Sequence, residues 1–127
     1  MSRQRIGAGS RYESAIGFSR AFRVGKRVLV SGTAPVWPDG SCPDDAALQT
    51  RRCFEIIGDA LTEAGAGLHE VVRTRMFVTS RSDADAIGAI HGEVFGAVRP
   101  AATMVVVAGL LDPRWKVEIE AEAILDA

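Results

Sequence analysis

The sequence predicts an α+β two-layer sandwich, a mixed sheet with two helices on one face, built in the order β-β-α-β-α-β-β. Three observations predict it. Short β-rich segments lie near both ends of the chain and in its middle, two segments with apolar residues spaced i, i+3/i+4 lie between them, and clusters of Gly, Pro and Asp separate these elements. At 127 residues, with no repeat and no low-complexity stretch, the chain reads as one domain over residues 1–127.

Residues 1–13 are rich in Gly, Ser and Arg and are expected to form a loose N-terminal arm. Ile16–Val24 alternates as a strand, Gly25-Lys26 makes a turn, and Arg27–Gly32 runs back as the second arm of a hairpin. Pro35, Pro38, Asp39-Gly40 and Pro43 mark a loop. Asp44 or Asp45 caps a helix from about Ala46 to Ala64. Its apolar stripe is Cys53, Phe54, Ile57, Leu61 and Ala64, and Gly65 and Gly67 end it.

Glu70–Thr79 is a third strand. Ser82, with Asp85 three residues later, resembles a capping box opening a second helix to about Ala97. Gly88, Gly92 and Gly96 in that helix each weaken it by about 1 kcal/mol against Ala. Their spacing predicts a smooth ridge for close packing against another backbone, a reading preferred to ligand contact. Two apolar strands follow, within Arg99–Ala108 and Lys116–Ala121, joined by a loop with Gly109, Asp112 and Pro113. With both helices on one face, the other face of a Val- and Ala-rich sheet is left bare, which predicts an oligomer.

Composition excludes several classes of function. Hydrophobic residues make up 47% and charged residues 24%, and the formal net charge is −1. That balance gives no basic excess for nucleic acid and no polybasic segment for a membrane surface. No apolar run is long enough to span a bilayer, and Met1–Gly9 lacks the apolar core of a signal peptide. Two cysteines, Cys42 and Cys53, and two distant histidines, His69 and His91, do not compose a metal site. There is no phosphate loop, dinucleotide fingerprint or Gly-x-Ser-x-Gly elbow, so no cofactor is expected. A cytoplasmic protein with reduced thiols is the plain expectation.

The strongest chemical feature is a row of acids. Alternate residues of a strand share one face about 7 Å apart, so Glu118, Glu120 and Glu122 line one side of the last strand, as Arg73 and Arg75 do on the third. Two readings follow. The row is a solvated cross-strand ladder worth at most about 1 kcal/mol per pair, or one Glu projects into a cleft where burial raises its pKa for proton transfer. His91 falls amid the apolar face of its helix, the place of a satisfied core histidine rather than a catalyst. Trp37 and Trp115 flank loops, at a subunit boundary or a pocket wall. Neither Cys42 nor Cys53 has the setting of a nucleophile nearby in sequence.

Taken together, Ile16-Gly17, Val30-Ser31-Gly32, Ala64-Gly65, Val71-Val72-Arg73-Thr74 with Phe77-Val78, Pro100-Ala101-x-Thr103 and Val117-Glu118-Ile119-Glu120-Ala121 resemble the Rid proteins. These are the reactive intermediate deaminases of the YjgF family, and the likeness runs in order from about Ile16 to Ile124. It implies a chorismate-mutase-like (YjgF-like) fold and a homotrimer whose sheets form a central barrel, with ligand clefts between subunits. It also implies hydrolysis of 2-enamines and 2-imines to ammonia and a 2-oxo acid. By this resemblance Glu118 is the acid that positions or activates water. Ser31 is the serine of the second strand, and Phe18 stands at an aromatic position often occupied by Tyr.

The family's Pro-Ala-Arg-Ser/Thr arginine, which grips the substrate carboxylate, is replaced here by Ala102. Met104 stands where many members carry Cys, and the asparagine of some members' second helix falls at Ala89. Loss of a charge-assisted hydrogen bond of this kind weakens a carboxylate ligand by about 10- to 150-fold. Arg20 and Arg99 are the candidate substitutes. The expectation is therefore a small-molecule ligand in an intersubunit cleft, with deaminase-type hydrolysis weakened or redirected by Ala102. The alternative is a non-catalytic trimer that binds a metabolite or a partner protein. Some relatives have been called ribonucleases, but near-neutral charge without a basic aromatic strip argues against nucleic acid.

Overall fold

In the computed structural model, residues 2–126 are described. They form a six-stranded mixed sheet: β1 (Arg3–Ile6), β2 (Ala21–Val24), β3 (Arg27–Thr33), β4 (Val71–Val78), β5 (Ala101–Val106) and β6 (Val117–Ile124). The helices are α1 (Arg11–Ile16), α2 (Ala46–Glu63) and α3 (Ala84–Phe95). Strand order across the sheet is β1-β2-β3-β6-β4-β5. All neighbours are antiparallel except β4 and β5, which α3 joins in parallel. The α+β architecture with α2 and α3 on one face is the one the sequence predicts.

Alternation along the strands sets the layers. Val117, Ile119, Ala121 and Ala123 of β6 and Val28 and Val30 of β3 are buried beneath α2, whose Cys53, Phe54, Ile57 and Leu61 face them. α3 adds Ile87, Ile90 and Phe95, and Phe95 meets Phe54 edge to face with ring centroids 5.2 Å apart. The opposite face carries Phe22, Leu29, Arg73, Arg75, Phe77 and the three glutamates of β6, and neither α2 nor α3 covers it.

The N-terminus differs from expectation. Arg3–Ile6 is not loose: it pairs as β1 along β2 and buries Ile6. Residues 11–16 form α1, where the end of the loose arm and, at Ile16, the first residue of a strand were expected. Ser10 Oγ accepts from Tyr12 N, the Glu13 carboxylate accepts from Ser10 N, and Gly17 closes the helix at φ 89°. The strand read from Ile16 thus begins only at Ala21, and Phe18, Ser19 and Arg20 cross from α1 to β2.

Farther along, Asp45 caps α2 through Leu48 N, as predicted. Ser82 does not open α3; Ser80 caps a single 3₁₀ turn over Arg81–Asp83, and α3 begins at Ala84 with no side-chain cap. The glycine ridge meets no neighbouring element, since a β-carbon at Gly88 or Gly92 would find nothing within 4 Å.

Candidate active site

The site is built around a break in pairing. β3 and β6 run in register from Arg27 to Val30, then slip, and pairing resumes at Thr33 opposite Ile119. The extra length at Ser31-Gly32 is a bulge beside Glu118, where strands commonly re-aim a side chain. Gly32 makes room for that side chain: a β-carbon on it would lie 2.8 Å from Glu118 Oε1 and 3.3 Å from its carboxyl carbon. The carboxylate therefore lies against bare backbone.

Four of the predicted site residues meet in one cavity of about 420 Å³: Phe18, Arg20, Ser31 and Glu118. Arg20 donates from Nη2 to the Gly32 carbonyl at 2.6 Å, and its guanidinium carbon stands 5.5 Å from the centre of the Phe18 ring. Ser31 Oγ donates to the Ser19 carbonyl at 2.7 Å, so its lone pairs are what remain for a ligand. Burial raises the Glu118 carboxyl above the usual carboxylate range. Arg20 pulls it back down and Glu120 pushes it up. Arg20 is shifted the other way, its pKa lowered by burial and supported by Glu13 and Glu118.

The row of acids divides. Glu122 pairs with Arg27 and Glu120 with Arg75, at 2.9 Å in the second pair, which is the ladder reading for both. Arg73 is in neither pair, although it stands opposite Glu122 in register. Glu118 has no ion-pair partner within 4 Å among the described residues, and it lines the cavity.

Ala102, Met104 and Arg99 lie elsewhere. Ala102 pairs with Thr74 and Met104 with Met76 on β5, the edge strand, which β4 separates from β6. Arg99, at φ 54°, borders a different concavity beside His69, Glu70 and Asp126. His69, Glu70 and Asp126 bring possible metal-ligand atoms within 4.8 Å of one another. Glu70 already accepts from Gly67 N and Asp126 N, which gives it a structural task. His91 is the core histidine expected: Nε2 lies 2.8 Å from Thr74 Oγ1, and the ring packs between Phe54 and Phe95. Burial alone lowers its pKa.

Sequence reading missed four residues that line the cavity, Tyr12, Ile16, Gly32 and Leu111. Tyr12 and Ile16 of α1 form one wall of the cavity, and Ser10-x-x-Glu13, a capping box in plain view, was the signal that could have found that helix. Gly32 stands in the sequence only as the last residue of Val30-Ser31-Gly32, with nothing local to mark it. Leu111 joins Trp115 on the loop before β6. Buried Gln49 holds that loop by donating to the Pro43 and Arg114 carbonyls at 2.9 and 3.0 Å and accepting from Lys116 N at 2.7 Å. Trp115 is thereby a pocket residue, one of the two places the sequence allowed it.

Comparison with known proteins adds to this geometry. The family model described as Endoribonuclease L-PSP matches residues 8–125. The crystal structure of Rv2704 from Mycobacterium tuberculosis, described as a member of the highly conserved YjgF/YER057c/UK114 family, is 44% identical. It superposes with a TM-score of 0.90, covering 98% of this chain and all of that one. The 3-aminoacrylate deaminase RutC of Acinetobacter baylyi is 36% identical over 98 residues, which cover 76% of this chain and 77% of RutC. The structure of TdcF from E. coli with bound serine is 26% identical and has a TM-score of 0.81, covering 96% of this chain and 94% of that one.

Proposed function

We propose that this chain, which belongs to the Rid (YjgF) family described by the Endoribonuclease L-PSP model, binds a small molecule beside Glu118 and hydrolyses an imine-like C–N bond there. One observation carries the reading: a half-buried carboxylate, seated on Gly32, faces a cavity that also holds Phe18, Arg20 and Ser31. The deaminase activity in the name of RutC and the serine bound to TdcF are in keeping with it.

The chemistry balances without a cofactor. Ionised Glu118 accepts a proton as water adds to the carbon of a protonated imine. Glu118 then returns that proton to the nitrogen, and the carbinolamine collapses: the C–N bond breaks, the carbonyl forms from the water oxygen, and ammonia leaves with the hydroxyl proton as ammonium. Ser31 accepts a hydrogen bond from the substrate, and Phe18 packs against it. The cleft is completed between subunits of a homotrimer through the face that α2 and α3 leave bare. Nucleic acid is not its partner, given a net charge of −1.

The second reading is a non-catalytic trimer that binds a metabolite or a partner protein. It is favoured by Ala102 in place of the family arginine and by Phe18 without a hydroxyl. To decide, 2-iminopropionate is generated with an amino-acid oxidase and its loss followed with semicarbazide as trap. The expected result is a slow acceleration, weaker than that of an arginine-bearing relative and abolished in Glu118→Ala. Wild-type protein that leaves the imine lifetime unchanged selects the second reading. Light scattering should report three subunits, and a monomer would refute the intersubunit cleft.

A further inference from the structure

We propose that His69, Glu70 and Asp126 bind a first-row divalent cation, zinc above all, which ties the end of β6 to the turn leading into β4. The site shares no residue with the Glu118 cavity and does not depend on the reaction proposed there.

The donor set comes together only in the fold. Histidines and cysteines alone do not compose a metal site in this sequence, but folding brings two carboxylates to one of the histidines. His69 and Glu70 belong to a 3₁₀ turn over Leu68–Glu70, and Asp126 follows β6, 56 residues beyond Glu70. One ligand atom from each of the three lies within 4.8 Å of the other two. Donors bonded at about 2.0–2.2 Å to a tetrahedral ion stand about 3.4 Å apart, so side-chain rotation closes the set. His69 and Asp126 are exposed and free to make that rotation.

Glu70 supplies an independent observation. Its side chain is only 10% exposed, yet among the described residues no lysine or arginine comes within 4 Å of its carboxylate. The one basic group inside that distance is the His69 ring, with Nε2 3.7 Å from Oε1. Oε1 accepts from Gly67 N at 3.1 Å and Oε2 from Asp126 N at 2.8 Å. A carboxylate has about four lone-pair sites, so these two bonds fix its direction and leave accepting capacity for a cation. Backbone donors satisfy its hydrogen bonding but not its charge, and buried charges are ordinarily paired or coordinate metals.

The donors also select the ion. One imidazole nitrogen with two carboxylate oxygens suits zinc and its neighbours, whereas calcium and magnesium take oxygen ligands. Three protein ligands leave coordination positions for water. Beside them lies a concavity of about 320 Å³. Arg99 is the one arginine or lysine lining it, and it makes no ion pair with Glu70 or Asp126.

The test is calorimetric titration of the untagged full chain with zinc chloride. One ion should bind per chain with a Kd below about 100 μM. His69→Ala and Asp126→Asn, both at exposed side chains, should each weaken it at least about tenfold. Zinc at a hundred times its Kd should raise the melting temperature of wild type by about 5–10 °C, and that of His69→Ala by about half of that or less. Calcium and magnesium should bind at least about tenfold more weakly than zinc. Arg99→Gln, which removes a repelling charge, should bind zinc no more weakly than wild type. Cys42→Ser, which removes the half-buried thiol, should bind like wild type.

A zinc Kd above that limit overturns the proposal, as does equal affinity of His69→Ala and wild type. Calcium bound as tightly as zinc overturns it too, since only pooled acidic charge would then be at work. Zinc binding lost in Cys42→Ser but kept in His69→Ala would place the metal elsewhere and overturn it as well.

Discussion

The carboxylate of Glu118 occupies the space where a β-carbon of Gly32 would be, 2.8 Å from Oε1. Because the clashing atom is the far end of a flexible side chain, Gly32→Ala should fold, with a stability change within about 1 kcal/mol in thermal denaturation. The carboxylate must move aside, so imine hydrolysis should fall at least about tenfold. A stable variant of undiminished activity would show that the seat on Gly32 has no catalytic part.

Glu118 should set the acid side of the pH profile. As a base it works ionised, and burial raises its pKa, so activity should rise with pH through a value above the ordinary 4.5 and level off beyond it. Removing the Arg20 charge should move that rise to higher pH. Glu118→Gln should lose about 10²–10⁴ in rate. The sign for stability is opposite: a raised carboxyl favours the native state below its unfolded pKa, and that contribution is lost as pH rises through the folded value. At neutral pH Glu118→Gln should therefore unfold at a higher temperature than wild type; an unchanged or lower melting temperature would contradict the burial argument.

His91 and Thr74 give a separate pH signature in stability, without chemistry. Burial depresses the His91 pKa below 6.5, so its contribution is complete above that value and lost as pH falls through the folded pKa. Thr74→Val removes the 2.8 Å bond to the ring and should cost about 1 kcal/mol in urea denaturation while leaving imine hydrolysis intact. A collapse of hydrolysis in a folded Thr74→Val protein would move His91 from the core to the mechanism.

Ala102 lies two strands from Glu118, across β4, so an arginine introduced there can reach only the cavity of another copy. Ala102→Arg should raise activity on 2-iminopropionate by about 10- to 150-fold, provided the protein is trimeric. A folded trimer that gains nothing would mean that the missing arginine is not what limits turnover.

Periodicity was enough to read the two covering helices and the strands of the hairpin and the C-terminal third, because each buries one face and its alternation or 3.6-residue repeat says so. Arg3–Ile6, exposed but for Ile6, carries no such pattern; its partner, β2, is what makes it a strand. α1 was legible in its capping box but masked by the Gly- and Ser-rich composition around it. Within the site, Glu118 and Glu120 look alike along the chain. They differ because the side chain of one lies against the bare backbone of Gly32 and Arg75 pairs with the other. Arg20 stood open as a substitute anchor, and its bond to Gly32 and its unpartnered Nε are tertiary facts that spacing does not encode.

Sheet order has a consequence for how the molecule comes into being. β6 inserts between β3 and β4, yet it is the last of these strands to be synthesised. Without it, β1-β2-β3 and β4-β5 have no strand to join them, and each leaves an open edge at the position β6 fills. The strand that joins the two halves is the one that brings Glu118. A nascent or truncated chain ending before Val117 thus has neither a continuous sheet nor the acid, and completion of the fold and acquisition of the proposed chemistry are a single event.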